Sequence, residues 1–225
     1  MLRPPSQALG VLLLATATCD PDDPTTPPPD PPTCTTGFIG DQGKDPELEL
    51  SILGVDDTSI PVNAGDPVPI IKPPQGGRVI FVGARARNID ACGVKLSGSL
   101  RYDAMAVRID SRTVNLKPTD DGWVTSVDAD ISTFANVPVC HNQWTPVDIF
   151  DNEFDLSLTI VDKTGRTVKQ TIAITPTCAE PENLAECECI CKGGYVLGET
   201  CDGGGGNGGG GNGNGGNGGN GGEGG

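Results

Sequence analysis

Cysteine is the residue type in this chain that is best suited to do chemistry. The chain contains nine cysteines, which are Cys19, Cys34, Cys92, Cys140, Cys178, Cys187, Cys189, Cys191 and Cys201. In an exported protein cysteines pair as disulfides, and one left over needs a separate explanation. If Cys19 is set aside, eight remain, which is enough for four disulfides. The sequence does not select among the possible connectivities.

Three of these cysteines are separated by single residues, and this spacing has a second possible chemistry. Cys187, Cys189 and Cys191 could present thiolates to zinc or copper. Outside the cytoplasm, however, thiols are oxidised to disulfides. We therefore expect disulfides here, with no metal and no cofactor, and keep the metal site as the alternative.

The segment before Cys19 indicates how the protein is exported. Residues 8–18 form an apolar run of 11 residues, which is shorter than the about 20 residues of a membrane-spanning helix and fits the hydrophobic region of a signal peptide. A proline- and aspartate-rich stretch follows the cysteine directly. This arrangement resembles the export and lipid-attachment signal of bacterial lipoproteins. The resemblance implies cleavage before Cys19, lipid on its thiol, and a place in the bacterial cell envelope that faces the periplasm or the exterior.

A second cleavage site is also present. Ala15, Thr16 and Ala17 form the small-x-small pattern of an ordinary signal peptidase site, and cleavage after Ala17 would give a soluble secreted protein. That cleavage would leave Cys19 as an unpaired thiol, whereas lipid attachment leaves an even number of cysteines. Cysteine parity therefore favours a protein that is bound to the membrane through a lipid anchor.

Composition and motifs exclude several functional classes. The formal net charge is −15, so the chain lacks the basic surface that binds nucleic acid. His141 is the only histidine, and the sequence contains no motif of a serine hydrolase, phosphate-binding loop or zinc protease. A cluster of acidic residues lacks the spacing of an acid–base pair or a calcium loop: Asp148, Asp151, Glu153 and Asp155. We expect no catalytic residue and no small-molecule substrate.

Much of the chain that carries the cysteines has the sequence pattern of β-strands. Between positions 37 and 178, the apolar residues recur with a period of two. Alternation is clearest in residues 48–52, 94–103, 123–131 and 154–160, while residues 78–87 begin as a continuous apolar run and then alternate. This period describes strands that bury one face, and no segment shows a sustained helical stripe. The sequence therefore predicts an all-β domain.

Residues 154–175 form the clearest local unit of that domain. Two alternating runs flank Asp162-Lys163-Thr164-Gly165, which is typical of a hairpin turn. The unit resembles the last two strands of bacterial immunoglobulin-like modules, which often end in a Val-Asp-x-x-Gly turn. About eight short strands with turn signals between them predict an antiparallel β-sandwich, which the resemblance implies is immunoglobulin-like, and a closed β-barrel is the alternative.

The cysteine-rich segment near the C-terminus resembles a different module. From Cys189 the order is Cys-x-Cys, two residues, Gly-Tyr, five residues and Cys201, which is similar to the C-terminal half of an EGF-like module. In that family the last two cysteines pair, so the resemblance implies a disulfide between Cys191 and Cys201.

The sequence divides into five parts. They are a signal peptide (1–18), a lipid-anchored spacer rich in proline and aspartate (19–36), a β-sandwich domain (37–178), a cysteine-rich segment (179–202) and a tail rich in glycine and asparagine (203–225). The tail has no apolar side chain to bury, so we expect it to be disordered. Cys92 and Cys140 lie within the sandwich part and are candidates to bridge there, while Cys34 and Cys178 flank it.

An interaction module, with its ligand unknown, is the function that this organisation favours. Sandwiches of this kind bind partners through loops at one end, and Trp144 and Phe150 lie in a loop-like region out of phase with any strand. We expect a ligand-binding surface there, with a protein or glycan partner at the cell surface. The alternative is a passive structural protein of the envelope, which would bury both aromatic side chains.

Overall fold

A computed structural model describes residues 34–103 and 105–201 of the protein. The signal peptide, Cys19, the spacer up to residue 33 and the glycine-rich tail lie outside the described residues, so the expectations for them stay predictions.

The described chain is mostly β-structure. Its strands are β1 (Phe38–Ile39), β2 (Glu47–Leu53), β3 (Ser59–Pro61), β4 (Pro67–Pro69), β5 (Arg78–Arg87), β6 (Ile89–Asp90), β7 (Val94–Tyr102), β8 (Met105–Val114), β9 (Lys117–Pro118), β10 (Val124–Thr125), β11 (Ala135–Cys140), β12 (Phe154–Val161) and β13 (Thr167–Thr177). Two 3-10 turns, Ile131–Thr133 and Pro181–Asn183, and one helix, α1 (Leu184–Cys191), complete the secondary structure.

The strands pair into two main sheets. The first has the order β3-β2-β5-β10-β9, with β11 also paired to β5, and the second has the order β4-β13-β12-β7-β8. The main-sheet pairs are antiparallel except for β4 with β13. β1 and β6 form a separate short antiparallel pair. The two sheets enclose a common core, so the all-β, antiparallel sandwich predicted from the sequence is confirmed.

The period of two decides which side chains fill that core. In the β2–β5 pair, Leu50 and Ala84 lie opposite each other and are almost fully buried, while the neighbouring Glu49 and Arg85 form an ion pair on the outer face. Each fully buried aliphatic side chain contributes about 1.5–3 kcal/mol of transfer free energy. A smaller cluster covers part of the outer face of the first sheet and consists of Leu53, Val79, Phe81 and Phe134.

Side chains, rather than a continuous strand ladder, connect the two sheets along their sides. On one side, Asp110 of β8 accepts a hydrogen bond from the backbone N–H of Asn136 in β11 at 2.8 Å. On the other side, Gln170 of β13 accepts one from the N–H of Leu50 in β2 at 3.2 Å. These bonds satisfy backbone donors that would otherwise lack partners.

The predicted strand at residues 123–131 is wrong over most of its length. Only Val124 and Thr125 pair with neighbouring strands. Beyond them, the Ser126 hydroxyl donates to the carbonyl of Thr133 and the Val127 N–H donates to the Thr133 hydroxyl. These local side-chain bonds replace the strand ladder and turn the chain into the 3-10 turn.

Strand register defines two ends of the sandwich. At one end, which we call the Cys92 end, β7 begins just after Cys92 and lies beside the β12–β13 hairpin turn, with Lys95 opposite Val161. At the other, the Cys140 end, β11 finishes at Cys140 opposite Arg78, the first residue of β5. The eight residues of β12 separate the two ends by roughly 25 Å at about 3.3 Å per residue.

Four disulfides join Cys34 to Cys92, Cys140 to Cys191, Cys178 to Cys187 and Cys189 to Cys201. The first lies at the Cys92 end and the other three lie at the Cys140 end. A bridge between Cys92 and Cys140 is therefore wrong, because these residues lie at opposite ends of the domain.

The pairing of Cys191 with Cys201, which the EGF-like resemblance implied, is also wrong. The segment forms helix α1, and residues four apart share one face of a helix. Cys187 and Cys191 therefore both face the domain and are buried, while Cys189 points away from that face and is only partly buried. Cys191 is thereby directed to Cys140, and Cys189 is left for Cys201.

The disulfides indicate an oxidising, extracytoplasmic location. Within residues 34–103 and 105–201, no helix has the length and apolar character needed to span a bilayer.

Candidate interaction surface

A rigid loop at the Cys140 end, residues 141–148, is organised around one buried amide side chain. Asn142 is fully buried, and its amide nitrogen donates to the carbonyls of Val147 at 2.8 Å and Cys191 at 3.3 Å. Its amide oxygen accepts from the backbone N–H groups of Trp144 and Thr145 at 3.3 and 3.1 Å. A buried polar side chain with all its hydrogen bonds satisfied fixes one loop conformation.

The segment after helix α1 closes over this loop. The N–H of Gly193 donates to the Asp148 carboxylate at 2.7 Å, and the N–H of Gly194 donates to the carbonyl of Thr145 at 3.2 Å. A Cβ atom on Gly193 would lie 2.6 Å from the carbonyl carbon of Pro146. Only glycine allows the two segments to approach this closely.

Trp144 is held in place by this framework and yet remains open to solvent. Its indole N–H donates to the carbonyl of His141 at 3.1 Å, and the guanidinium carbon of Arg108 lies 3.6 Å from its ring centroid. The side chain is nevertheless 44% exposed. Its hydrogen-bond donor and its position are therefore fixed, while part of its surface is free to contact a partner.

We call the surface formed by residues 141–148, Arg108 and Tyr195 the Trp144 platform. His141 stacks on Tyr195 with ring centroids 5.3 Å apart, and the chain directly after Tyr195 exposes Val196 and Leu197 by 67% and 69%. Preorganised aromatic side chains of this kind contribute strongly to binding because they lose little entropy when a partner docks.

The second tryptophan, Trp123, has a different environment from Trp144, because other side chains cover its ring. Arg85 and Arg87 both cover Trp123, at 4.2 and 4.6 Å from its ring centroid, and each arginine also pairs with a carboxylate, including Glu49 and Glu47 respectively. Trp123 is only 9% exposed.

Arg108, in contrast, has no carboxylate or carbonyl partner among the residues that the structure describes, and its contact is with Trp144. The Trp144 platform therefore differs from the Trp123 site in both exposure and charge pairing.

The other residues singled out from the sequence occupy structural positions. Phe150 is partly buried and packs against the main core, so it is not part of the exposed surface. His141 is exposed and contacts Tyr195. Asp148 accepts the hydrogen bond from Gly193.

The cysteines of the alternative metal site do not converge. Cys189 lies on a different face of α1 from Cys187 and Cys191, and each of the three forms a disulfide with a residue outside that group.

A buried arginine, which sequence reasoning missed, attaches the cysteine-rich segment to the sandwich. The side chain of Arg78 is fully buried, and its guanidinium pairs with Glu180 and, at 3.2 Å, with Glu186. It also donates to the carbonyl of Asn183 at 3.3 Å. A hydrogen bond from Lys72 and the charge of Arg78 lower the pKa of Glu186. The arginine thus fixes the start of α1, which carries Cys187 and Cys191.

Comparison with models of protein families finds no match, and no curated protein matches the sequence. The functional assignment therefore depends on the residues and geometry of this chain.

Proposed function

We propose that this protein is an exported lipoprotein of the bacterial cell envelope that displays the Trp144 platform as an interaction surface. The exposed but rigidly held Trp144 carries the proposal. It is fixed by a hydrogen bond and by Arg108, and Val196 and Leu197 beside the platform add further exposed apolar surface. Tryptophan and arginine are the residue types that most often dominate the binding energy of protein interfaces. The partner is a protein or glycan at the cell surface.

The position of the disulfides supports a directed display. The proposed anchor at Cys19 precedes Cys34, and Cys34 is bound at the Cys92 end of the sandwich. The Trp144 platform lies at the opposite end. An anchor at Cys19 would therefore be connected to the domain at the end opposite the platform.

Membrane attachment is tested by fractionating cells that express the Cys19→Ser variant. Loss of the lipid-bearing thiol is expected to move the protein from the membrane fraction to the soluble fraction, because stable attachment takes at least two acyl chains. An intact mass of the wild-type protein without added lipid would instead support secretion after cleavage at Ala17.

The interaction surface is tested with a photo-crosslinking amino acid at position 144 in intact cells. The matched control carries the same amino acid at Ile60, which is 43% exposed compared with 44% for Trp144 but lies on β3, outside the platform. We expect discrete crosslinked products from position 144 and none from position 60. Equal or absent products at both positions would favour a passive structural protein.

A further inference from the structure

Two of the disulfides at the Cys140 end are in contact with each other. Cys187 Sγ lies 3.9 Å from Cys191 Sγ, although each atom belongs to a different disulfide. The Sγ atoms of Cys178, Cys187 and Cys191 all lie within 4.8 Å of one another. Cys178 therefore has two possible partners within reach of a small side-chain rotation.

The helix explains why both partners face the same way. Cys187 and Cys191 are one turn apart on the buried face of α1. Of the two other cysteines, Cys140 is the last residue of β11 and Cys178 directly follows β13. Cys178 stands after a strand, outside the helix, so it can move towards either helical sulfur. It is also the most exposed of the four cysteines, since the other three are buried.

We propose that these four cysteines form one thiol–disulfide exchange site, which an external small-molecule thiol enters at Cys178. Exchange at this site converts the observed pairs into a second set, Cys178 with Cys191 and Cys140 with Cys187. This inference does not depend on the interaction surface or on the lipid anchor.

The exchange balances in three stages. First, a thiolate attacks Cys178 Sγ and Cys187 leaves as a thiolate; a second thiolate then attacks the mixed disulfide, which gives the disulfide of the small thiol and the Cys178 thiolate. Next, the Cys178 thiolate attacks Cys191 Sγ, the Cys178–Cys191 bond forms, and Cys140 leaves as a thiolate.

The last stage closes the second pair. The Cys140 thiolate attacks the disulfide of the small thiol, which forms a mixed disulfide at Cys140 and releases one thiolate. The Cys187 thiolate then attacks Cys140 Sγ, forms the Cys140–Cys187 bond and releases the second thiolate. The two small thiols oxidised at the start are thus returned, and the protein undergoes no net oxidation or reduction.

The second set of pairs would change the Trp144 platform. Cys140 directly precedes the platform loop, and a bond to Cys187 would attach it one helical turn, about 5.4 Å, nearer the start of α1. Exchange would therefore displace Trp144 relative to Arg108.

The test is incubation of the oxidised full chain with a mixture of reduced and oxidised glutathione, followed by alkylation and peptide mapping without reduction. Cleavage after Glu188 separates Cys187 from Cys191, so the two sets of pairs give different linked peptides. We expect the glutathione mixture to produce peptides linked through Cys140–Cys187 and Cys178–Cys191, which are absent from the untreated protein. A shift of Trp144 emission in a Trp123→Phe background should accompany them.

Two double variants separate exchange from direct reduction. In Cys178→Ala/Cys187→Ala the entry disulfide is missing, and we expect Cys140–Cys191 to resist the same glutathione mixture. In Cys189→Ala/Cys201→Ala the four cysteines are intact, and exchange should persist. The proposal is overturned if wild-type protein shows only native pairs after treatment, or if Cys140 and Cys191 become alkylated equally fast with and without Cys178 and Cys187.

Discussion

At the scale of single residues, Arg78 is the side chain whose loss should cost the most. It is fully buried and pairs with Glu180, whose side chain is only 15% exposed. Removing one partner of a buried ion pair leaves the other charge uncompensated. We expect Arg78→Met to lower the free energy of unfolding by about 3 kcal/mol, measured by urea denaturation with the disulfides intact.

Lys72 offers the matched control, because it pairs with Glu186 on the surface with both side chains 38% exposed. Lys72→Met should cost only about 0.5 kcal/mol. In the double variant Arg78→Met/Glu180→Gln, the carboxylate that Arg78→Met leaves unpaired is also removed. The double variant should therefore be more stable than Arg78→Met alone. Equal effects of the Arg78 and Lys72 substitutions would contradict the assignment of Arg78 as the buried attachment of α1.

Asp162, in the β12–β13 turn at the Cys92 end, makes a pH-dependent contribution to the stability of the folded protein. Burial raises its pKa, but hydrogen bonds from the backbone N–H groups of Asp90, Thr164 and Arg166 and from the Thr164 hydroxyl outweigh burial, so the pKa lies below its ordinary value. When the pKa of a carboxyl group is lower in the folded protein than in the unfolded chain, the carboxylate stabilises the folded state. This contribution is complete at pH values above the pKa of the unfolded chain, and it is lost as the pH falls through the pKa of the folded protein.

Asp162→Asn should therefore destabilise the protein by about 1–3 kcal/mol at pH 7, because an amide nitrogen would face one of these N–H donors. The difference from wild type should shrink below the unfolded pKa of about 3.9. Urea denaturation at pH 7 and pH 3 measures both values, and a difference that stays constant between them would contradict the role assigned to the charge.

At the scale of elements, alternation predicted strands well where each strand has one buried and one exposed face. β7 and most of β12 follow this rule, whereas the last four residues of β2 are all buried. Residues 123–131 alternate equally well, but the hydrogen bonds of Ser126 and Thr133 are tertiary features that a periodicity cannot show. Helix α1 was missed because it is only eight residues long and is held by disulfides and Arg78 rather than by an apolar stripe.

The candidate surface was predictable only in part. Trp144 stood out because it is out of phase with any strand. Arg108 and Gly193 gave no signal, because they reach the platform through contacts between residues that are far apart in the sequence. The sequence also grouped Phe150 with Trp144, although Phe150 is partly buried and packs against the core.

The packing of the post-helix segment on the platform loop gives a prediction about these two elements. Gly193→Ala would place a Cβ atom against the backbone of Pro146, and such overpacking costs typically about 1–3 kcal/mol. The control is Gly165→Ala, where φ is +87° and nothing lies within 4 Å, so only the backbone penalty of about 1 kcal/mol applies. We expect only Gly193→Ala to shift Trp144 fluorescence in a Trp123→Phe background, and a shift in both variants would contradict this.

At the scale of the whole molecule, two disulfides that close loops of similar length lie at opposite ends of the domain. Cys34–Cys92 spans 58 residues and Cys140–Cys191 spans 51. In the chain-entropy model each constrains the unfolded chain by about 4 kcal/mol, so the two should matter equally for stability. Their consequences for the Trp144 platform should differ, because only Cys140–Cys191 lies beside it.

We therefore expect Cys34→Ser/Cys92→Ser and Cys140→Ser/Cys191→Ser to lose similar free energies of unfolding, about 4 kcal/mol each. In a Trp123→Phe background, only the second variant should change the emission of Trp144 and increase its quenching by acrylamide. The first variant is the control for general loosening, since it removes a loop of nearly the same length at the Cys92 end. If both variants expose Trp144 to the same degree, the platform is held by the stability of the whole domain and not by its local disulfide.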